Sequence, residues 1–327
     1  MGRCGILVVA AFMMTLVGAE PVAAQSLAGL SELSAAKRKT SNPQRAANDD
    51  DKNGDEKKGN GKDDQPDTEH IFGFTMGADI GEVGESEVEL GSRLRRGKRD
   101  GSYTAASNQI ELGHTPLRNF RFAVGGSLAY QNISNVTGLD DRNQTTFEGV
   151  SFEAKFRLIE RELAGIGLTF VVEPGWARVN ETSGARVSKF GTEFRLAADA
   201  ELVKERIYGA FNLLYEPERE RDIATGEVEK ESTFGFSSAL SFQAAKGVFV
   251  GGEIRYFRRY EGLALDHRVG QALFVGPTFY AKLSEHFWIA AAWSVQVAGR
   301  SVDNPDLRLD LDNFSRHEIG LQAGFQF

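Results

Sequence analysis

Five histidines are the scarcest catalytic reagents in this 327-residue chain: His70, His114, His267, His286 and His317. Only His267 has an acidic neighbour in a polar loop, Asp266, and an Asp-His pair at a rim can activate water. Adjacent residues of an extended segment point to opposite sides, so a chance dipeptide accounts for the pair more simply than a shared reaction centre. Asp49, Asp51, Asn53 and Gly54 open like a calcium loop, but the twelfth position is Asn60, where a bidentate Glu is required, and no apolar helices flank it. The one cysteine, Cys4, falls in an N-terminal apolar run. No serine elbow, glycine-rich phosphate loop or His-Glu metal pattern is present in the sequence. These residues predict no enzyme, no metal and no cofactor.

A second set of chemically active residues is larger and has a period. Glu153, Lys155 and Arg157 alternate with Phe152, Ala154, Phe156 and Leu158; Lys189, Glu193, Arg195 and Asp199 alternate with Phe190, Thr192, Phe194, Leu196 and Ala198. Glu173, Glu253 and Arg255 fall into the same pattern, as do Glu111, Arg121, Arg206 and Arg259. A period of two places all of these on one face of a strand and the apolar residues on the other. Charges of both signs on a shared face must either pair across strands or line water, because an unpaired charge away from water costs several kcal/mol. The pattern thus allows two arrangements, a bracing ionic network and a polar pore. Small residues of the same parity, Gly235, Ser237, Ala239 and Ser241, then Ala290, Ala292 and Ser294, leave room along one wall.

The elements that position these residues are alternating segments of ten residues or more. Twelve are predicted: 70–81, 103–114, 119–132, 146–160, 164–179, 185–202, 205–217, 229–245, 247–260, 270–283, 286–299 and 314–327. The connections after even-numbered segments are short and most of those after odd-numbered ones are longer and polar. An even count with one short-turn side is what a membrane barrel requires, and strands in lipid must close on themselves, which predicts pairing of 71–81 with 314–327. Trp176, Tyr215, Tyr256, Tyr260, Tyr280 and Phe287 near strand ends suit interfacial girdles. A mean hydropathy of −0.32 does not oppose this, since lipid-facing and lumen-facing residues average out. The formal net charge of −8 argues against a nucleic-acid partner.

In the last segment Ile319, Leu321, Ala323, Phe325 and Phe327 share one parity, and Phe327 ends it. This resembles the closing strand of the outer-membrane β-barrel proteins of Gram-negative bacteria, as do Gly276-Pro277-Thr278, Leu283-Ser284 and Trp293-Ser294-Val295-Gln296-Val297 in the last hairpins. The resemblance implies an all-β, transmembrane, up-and-down antiparallel barrel of about twelve strands, outer-membrane lipid, lipopolysaccharide and the barrel-assembly machinery as partners, and an assembly signal at Phe325 and Phe327. Residues 1–24, with Arg3, an apolar run and Val22-Ala23-Ala24, read as a signal peptide. Residues 25–68 are expected to form a disordered, charged periplasmic segment, and 69–327 the barrel. Arg93, Arg95, Arg96, Lys98 and Arg99 fall in an expected long loop, 82–102, as a constriction or a lipopolysaccharide contact. The leading functional reading is a narrow passive channel for small polar solutes. A non-conducting structural or surface-interaction barrel comes second and an outer-membrane hydrolase third.

Overall fold

The computed structural model describes residues 66–327. The signal peptide, the calcium-like motif and nearly all of the charged segment 25–68 lie outside the described residues. The described residues contain twelve strands: β1 (Ser86–Arg96), β2 (Ser102–Leu117), β3 (Phe120–Ser134), β4 (Arg142–Ile159), β5 (Ile166–Val179), β6 (Arg186–Val203), β7 (Ile207–Asp222), β8 (Val228–Ala245), β9 (Val248–Glu261), β10 (His267–Lys282), β11 (Phe287–Ser301) and β12 (His317–Gln326). Each is antiparallel to its sequence neighbours, and β1 pairs with β12 to close the barrel. The seam runs from Glu87 opposite Gln326 to Arg96 opposite His317, and is extended by hydrogen bonds between Ser86 and Phe327 in both directions, at 3.0 and 2.8 Å.

The alternation explains the shape. Leu112, Val124, Phe152, Leu158 and Phe190 stand exposed on the outer wall, while their strand neighbours Arg121, Glu153 and Lys155 are buried inside. Closure removes every free strand edge, which in an apolar surround would carry unpaired N–H and C=O groups. Around the outer face, Phe120, Phe122, Phe152 and Phe156 form a chain of ring contacts on β3 and β4.

The count of twelve stands, but the first strand does not lie where its alternation pointed. Residues 70–81 are a folded segment inside the barrel, and β1 is drawn from the expected loop 82–102. Two-faced alternation is broken here because Ile71 and Phe72, adjacent in sequence, are both fully buried. Gly73 and Gly81 adopt φ of 81° and 78°, turning the chain where a strand would run straight. The true β1 carries the outward Val88, Leu90 and Leu94 against the inward Glu87, Glu89, Arg93 and Arg95. Two further positions differ. Arg206 is an exposed turn residue, and Tyr280 faces inward, its ring 5.9 Å from that of Trp288. The loop after β1 shrinks to 97–101, leaving 302–316 as the one extended connection of the described barrel.

Candidate functional site: an occupied lumen

Residues 66–85 fill the end of the lumen at which the short turns lie; we refer to them as the plug. A segment without strand partners must satisfy its backbone by other means. Here the wall supplies side chains. Glu253 accepts hydrogen bonds from the Phe74 and Thr75 N–H groups, each 3.1 Å, and Asp199 accepts that of Ala78 at 2.9 Å. Asn212 accepts the N–H of Met76 and donates to its carbonyl, both 2.8 Å, reproducing with one side chain the pair a strand neighbour would make. Thr115 donates to the Ile80 carbonyl at 2.9 Å, and Ser241 to that of Ile71 at 3.0 Å.

Apolar burial adds to this. Ile71 and Phe72 pack into a cluster with Tyr208, Ala210, Ala239, Phe249, Tyr280, Trp288 and Ala290. The small residues that left room in the sequence thus receive the plug: Ala239 and Ala290 touch its apolar turn, and a Cβ on Gly73 would meet Thr278 at 2.5 Å and Ala292 at 3.0 Å. Fully burying two large apolar side chains contributes about 3–6 kcal/mol. His70 stacks on Trp288 with centroids 4.0 Å apart, and the Trp288 indole N–H donates to Glu87 at 2.6 Å.

Two ionic clusters lock the plug to the wall. In the first, Arg161 on the single-turn helix α1 (Arg161–Ala164) donates to Asp199 at 2.8 Å, to Asp79 of the plug at 2.9 Å and to the Thr68 hydroxyl at 2.7 Å. In the second, Glu69 of the plug meets both Lys155 and Arg121, which are also bound by Glu153 at 3.0 Å and Glu87 at 2.9 Å. Burial works to raise the Glu69 carboxyl, but Arg121 and Lys155 hold it below the usual carboxylate range. Burial, with Glu69 and Asp79 nearby, pushes the Asp67 carboxyl up to about 8. Burial also lowers His70, so the stacked ring is neutral near pH 7.

The Asp67 shift gives a pH dependence. A seated Asp67 keeps its proton to about pH 8, whereas a released one loses it near 3.8, so its contribution to seating is greatest at low pH and is lost as pH rises across that interval. Glu69 and His70 act in the opposite sense. The comparison that isolates Asp67 is therefore wild type against Asp67→Asn, whose side-chain oxygen can still accept the Glu69 N–H. Plug release in wild type relative to the variant is expected to grow from pH 4 to 8 and then level off, followed by protease access to the plug; a constant ratio would remove Asp67 from the lock.

Above the plug lie two charge-lined cavities of about 310 and 230 Å³. Phe74 caps the plug between Arg255, 4.1 Å from its ring centroid, and Arg93, at 5.2 Å. Of the sequence-chosen residues, Glu153, Lys155, Glu173, Glu193 and Arg195 line the larger cavity, while Lys189, Arg195 and Arg255 line the smaller. Arg157 lies 4.0 Å from Asp79, and Asp199 and Glu253 grip the plug. Many are paired: Lys189 with Glu218 at 2.6 Å, Arg195 with Glu193 at 2.7 Å, Arg255 with Glu318 at 2.8 Å. No ion pair holds Glu111, Glu173 or Glu216 among the described residues, so a bracing ionic network surrounds carboxylate-lined space above the plug.

The five basic residues divide. Arg93 and Arg95 face the lumen from β1, and Arg95 pairs with Glu181 at 3.0 Å. Although burial raises the Glu181 carboxyl, Arg95 and Lys189 bring it down to about 2. Lys98 donates to the Asp312 and Phe314 carbonyls at the mouth, Arg99 lies 3.4 Å from Asp312, and Arg96 is exposed at the strand end. Phe325 and Phe327 are exposed on the outer wall with rings 6.2 Å apart. Asp266 belongs to the turn between β9 and β10, and His267 opens β10. The plug was the element that sequence reasoning missed. Its readable signals were the glycines at 73, 77, 81 and 84 and the charged alternation resuming at Glu87.

Among solved structures, an outer membrane channel of the COG4313 group from Pseudomonas putida F1 superposes with a TM-score of 0.54 at 10% identity, covering 76% of this chain and 98% of that one. The translocator domain of the autotransporter NalP from Neisseria meningitidis gives 0.47 at 14% identity, over 76% and 91%, and the β domain of the Bordetella autotransporter BrkA 0.48 at 13%, over 75% and 100%. The first of these shares the fold, that of an outer-membrane β-barrel. A comparison with curated protein sequences finds no match. The model of a family of unknown function, DUF6662, matches residues 64–327, spanning plug and barrel together, and the chain belongs to that family.

Proposed function

We propose that this protein is an outer-membrane channel for small polar solutes, held shut at rest by residues 66–85. In this reading the short turns and both ends of the described chain face the periplasm, the loop 302–316 faces outward, and the chain transports rather than catalyses. The observation that carries it is the charged vestibule directly above a plug whose backbone is held by side chains. At its β1 end Gly84 and Glu85 exchange backbone hydrogen bonds with Thr115, but the rest of the segment is held by side chains, which allow it to leave while every wall strand keeps both neighbours. A twelve-stranded wall is wider than the eight-stranded barrel that its own side chains fill.

The test is single-channel recording in planar bilayers of the wild type and of a chain lacking residues 66–84, with folding verified by altered gel mobility before heating. The wild type is expected to be closed for most of the record and the deletion to conduct steadily. In the deleted barrel, Arg93→Gln with Arg95→Gln should move the reversal potential toward cations, since both side chains line the passage, whereas Arg96→Gln should not. A folded, plug-free barrel that carries no current would sink the channel reading in favour of a structural role.

A further inference from the structure

The outer wall carries a second charged feature, on the side away from the lumen. On β7 to β11 the outward positions toward the loop end include Arg219, Arg221, Lys230, Arg258, Arg268 and Arg300, all exposed. Their direction follows from register. Phe211 and Leu213 are exposed outward and fix the parity of β7 through Tyr215 to Arg219 and Arg221. Arg219 lies opposite Lys230, Phe234 opposite Arg258, Arg258 opposite Gln271, and Gln271 opposite Arg300. Arg268 lies opposite the outward Tyr260.

Three observations mark this as a surface built for an anion. First, none of the six cations forms an ion pair with a described carboxylate, in a chain with 46 acidic residues. The outward neighbours in these layers are Tyr215, Pro217, Ser232, Phe234, Tyr260 and Gln271. Second, Arg219 and Lys230 face each other directly across a strand pair, an arrangement that is destabilising unless a counter-charge sits between them. Third, two of the guanidinium groups are held in place. Arg258 Nε donates to the Tyr256 hydroxyl at 2.7 Å, that hydroxyl donates to Gln271 at 3.0 Å, and Arg268 donates to the same Gln271 oxygen at 3.3 Å.

The position narrows the anion. Directly toward the barrel middle come Tyr256, Phe236 and Leu273, then Ile254 and Val275 with Ser238 beside them, a mainly apolar wall. A ligand seated here must therefore be amphiphilic, with phosphate groups level with the arginines and acyl chains alongside the wall. We propose that this face binds the phosphorylated headgroup of a lipid A type glycolipid in the outer leaflet, with Arg219, Lys230, Arg258, Arg268 and Arg300 as phosphate ligands. The inference rests on the outer-membrane reading above. It also relocates the lipopolysaccharide contact expected of residues 93–99, two of which face the lumen.

The test is native mass spectrometry of the folded full chain in a neutral detergent with added bisphosphorylated lipid A, compared with its dephosphorylated form. Wild type is expected to retain the first and release the second. A variant with these five ligands changed to Gln should retain at least about tenfold less, since basic residues at an anionic lipid surface each add to the binding. Lysine in place of the four arginines Arg219, Arg258, Arg268 and Arg300 should restore most of the binding. Equal retention of dephosphorylated lipid, undiminished binding by the Gln variant, or complete competition by inorganic pyrophosphate would each overturn the proposal, the last by showing a small-anion site. Insertion into lipid vesicles is scored separately by protease protection. A barrel that inserts yet ignores the phosphates defeats this inference alone, whereas one that does not insert defeats the membrane reading with it.

Discussion

Arg161→Ala should convert a closed barrel into a leaking one. The guanidinium joins three groups, Asp199 of the wall and Asp79 and Thr68 of the plug, all within 2.9 Å. Removing it leaves Asp199 and Asp79 facing each other in a poorly hydrated end of the lumen, and breaking a buried pair in this way costs about 3–5 kcal/mol because the remaining charge is uncompensated. The barrel wall does not depend on that pair, whereas the seated plug does. The open population should therefore rise by roughly two to four orders of magnitude. Single-channel recording reads this directly, with Arg161→Lys retaining much of the closure and heat-dependent gel mobility confirming that the barrel has assembled. An Arg161→Ala barrel that stays as silent as wild type would mean that the lock lies elsewhere, in the cluster of Glu69, Arg121 and Lys155.

The other large effect belongs to the wall. Phe194 lies mid-strand on β6 with its ring 6.3 Å from that of Tyr215 on the outer face, and its neighbour Glu193 points inward to Arg195. Phe194→Arg places a cation toward lipid, which near the bilayer midplane costs roughly 2–4 kcal/mol, and assembly in outer-membrane fractions should fall sharply. Glu193→Gln loses one lumen ion pair and should assemble normally. The reverse outcome, a tolerated Phe194→Arg and a failed Glu193→Gln, would invert the face assignment of β6.

Much of this architecture was legible because a two-faced wall writes a strict period into its sequence. Phe152 to Leu158 and Phe190 to Ala198 declare inward and outward sides without reference to any partner, and their charged neighbours do face the lumen. The period fails where a segment has no second solvent. Residues 70–81 alternate too, but they are surrounded by wall on every side, so both parities are buried and alternation carries no information about faces. The same ambiguity misplaced Tyr280, whose aromatic ring suits an interface as well as it suits the base of a plug. Of the candidate site, single residues could be read and their assembly could not. Nothing in Asp79, Arg161 and Asp199 taken separately announces that a segment threads between them.

The plug and the seam are consecutive pieces of chain. Glu85 ends one, Ser86 begins the other, and Ser86 is bonded to Phe327. The contacts that seat the plug span sequence distances of 131 residues to Asp199, 136 to Asn212 and 178 to Glu253. Contacts of such long sequence separation need the strands that carry their acceptors, β6, β7 and β9, to stand in place before the plug can seat. The segment stays joined to the wall through β1, which tethers it beside its acceptors whether seated or released. The strand that closes the seam is thus also the leash of the plug, so the pairing of β1 with β12 fixes how far the segment can travel from its seat.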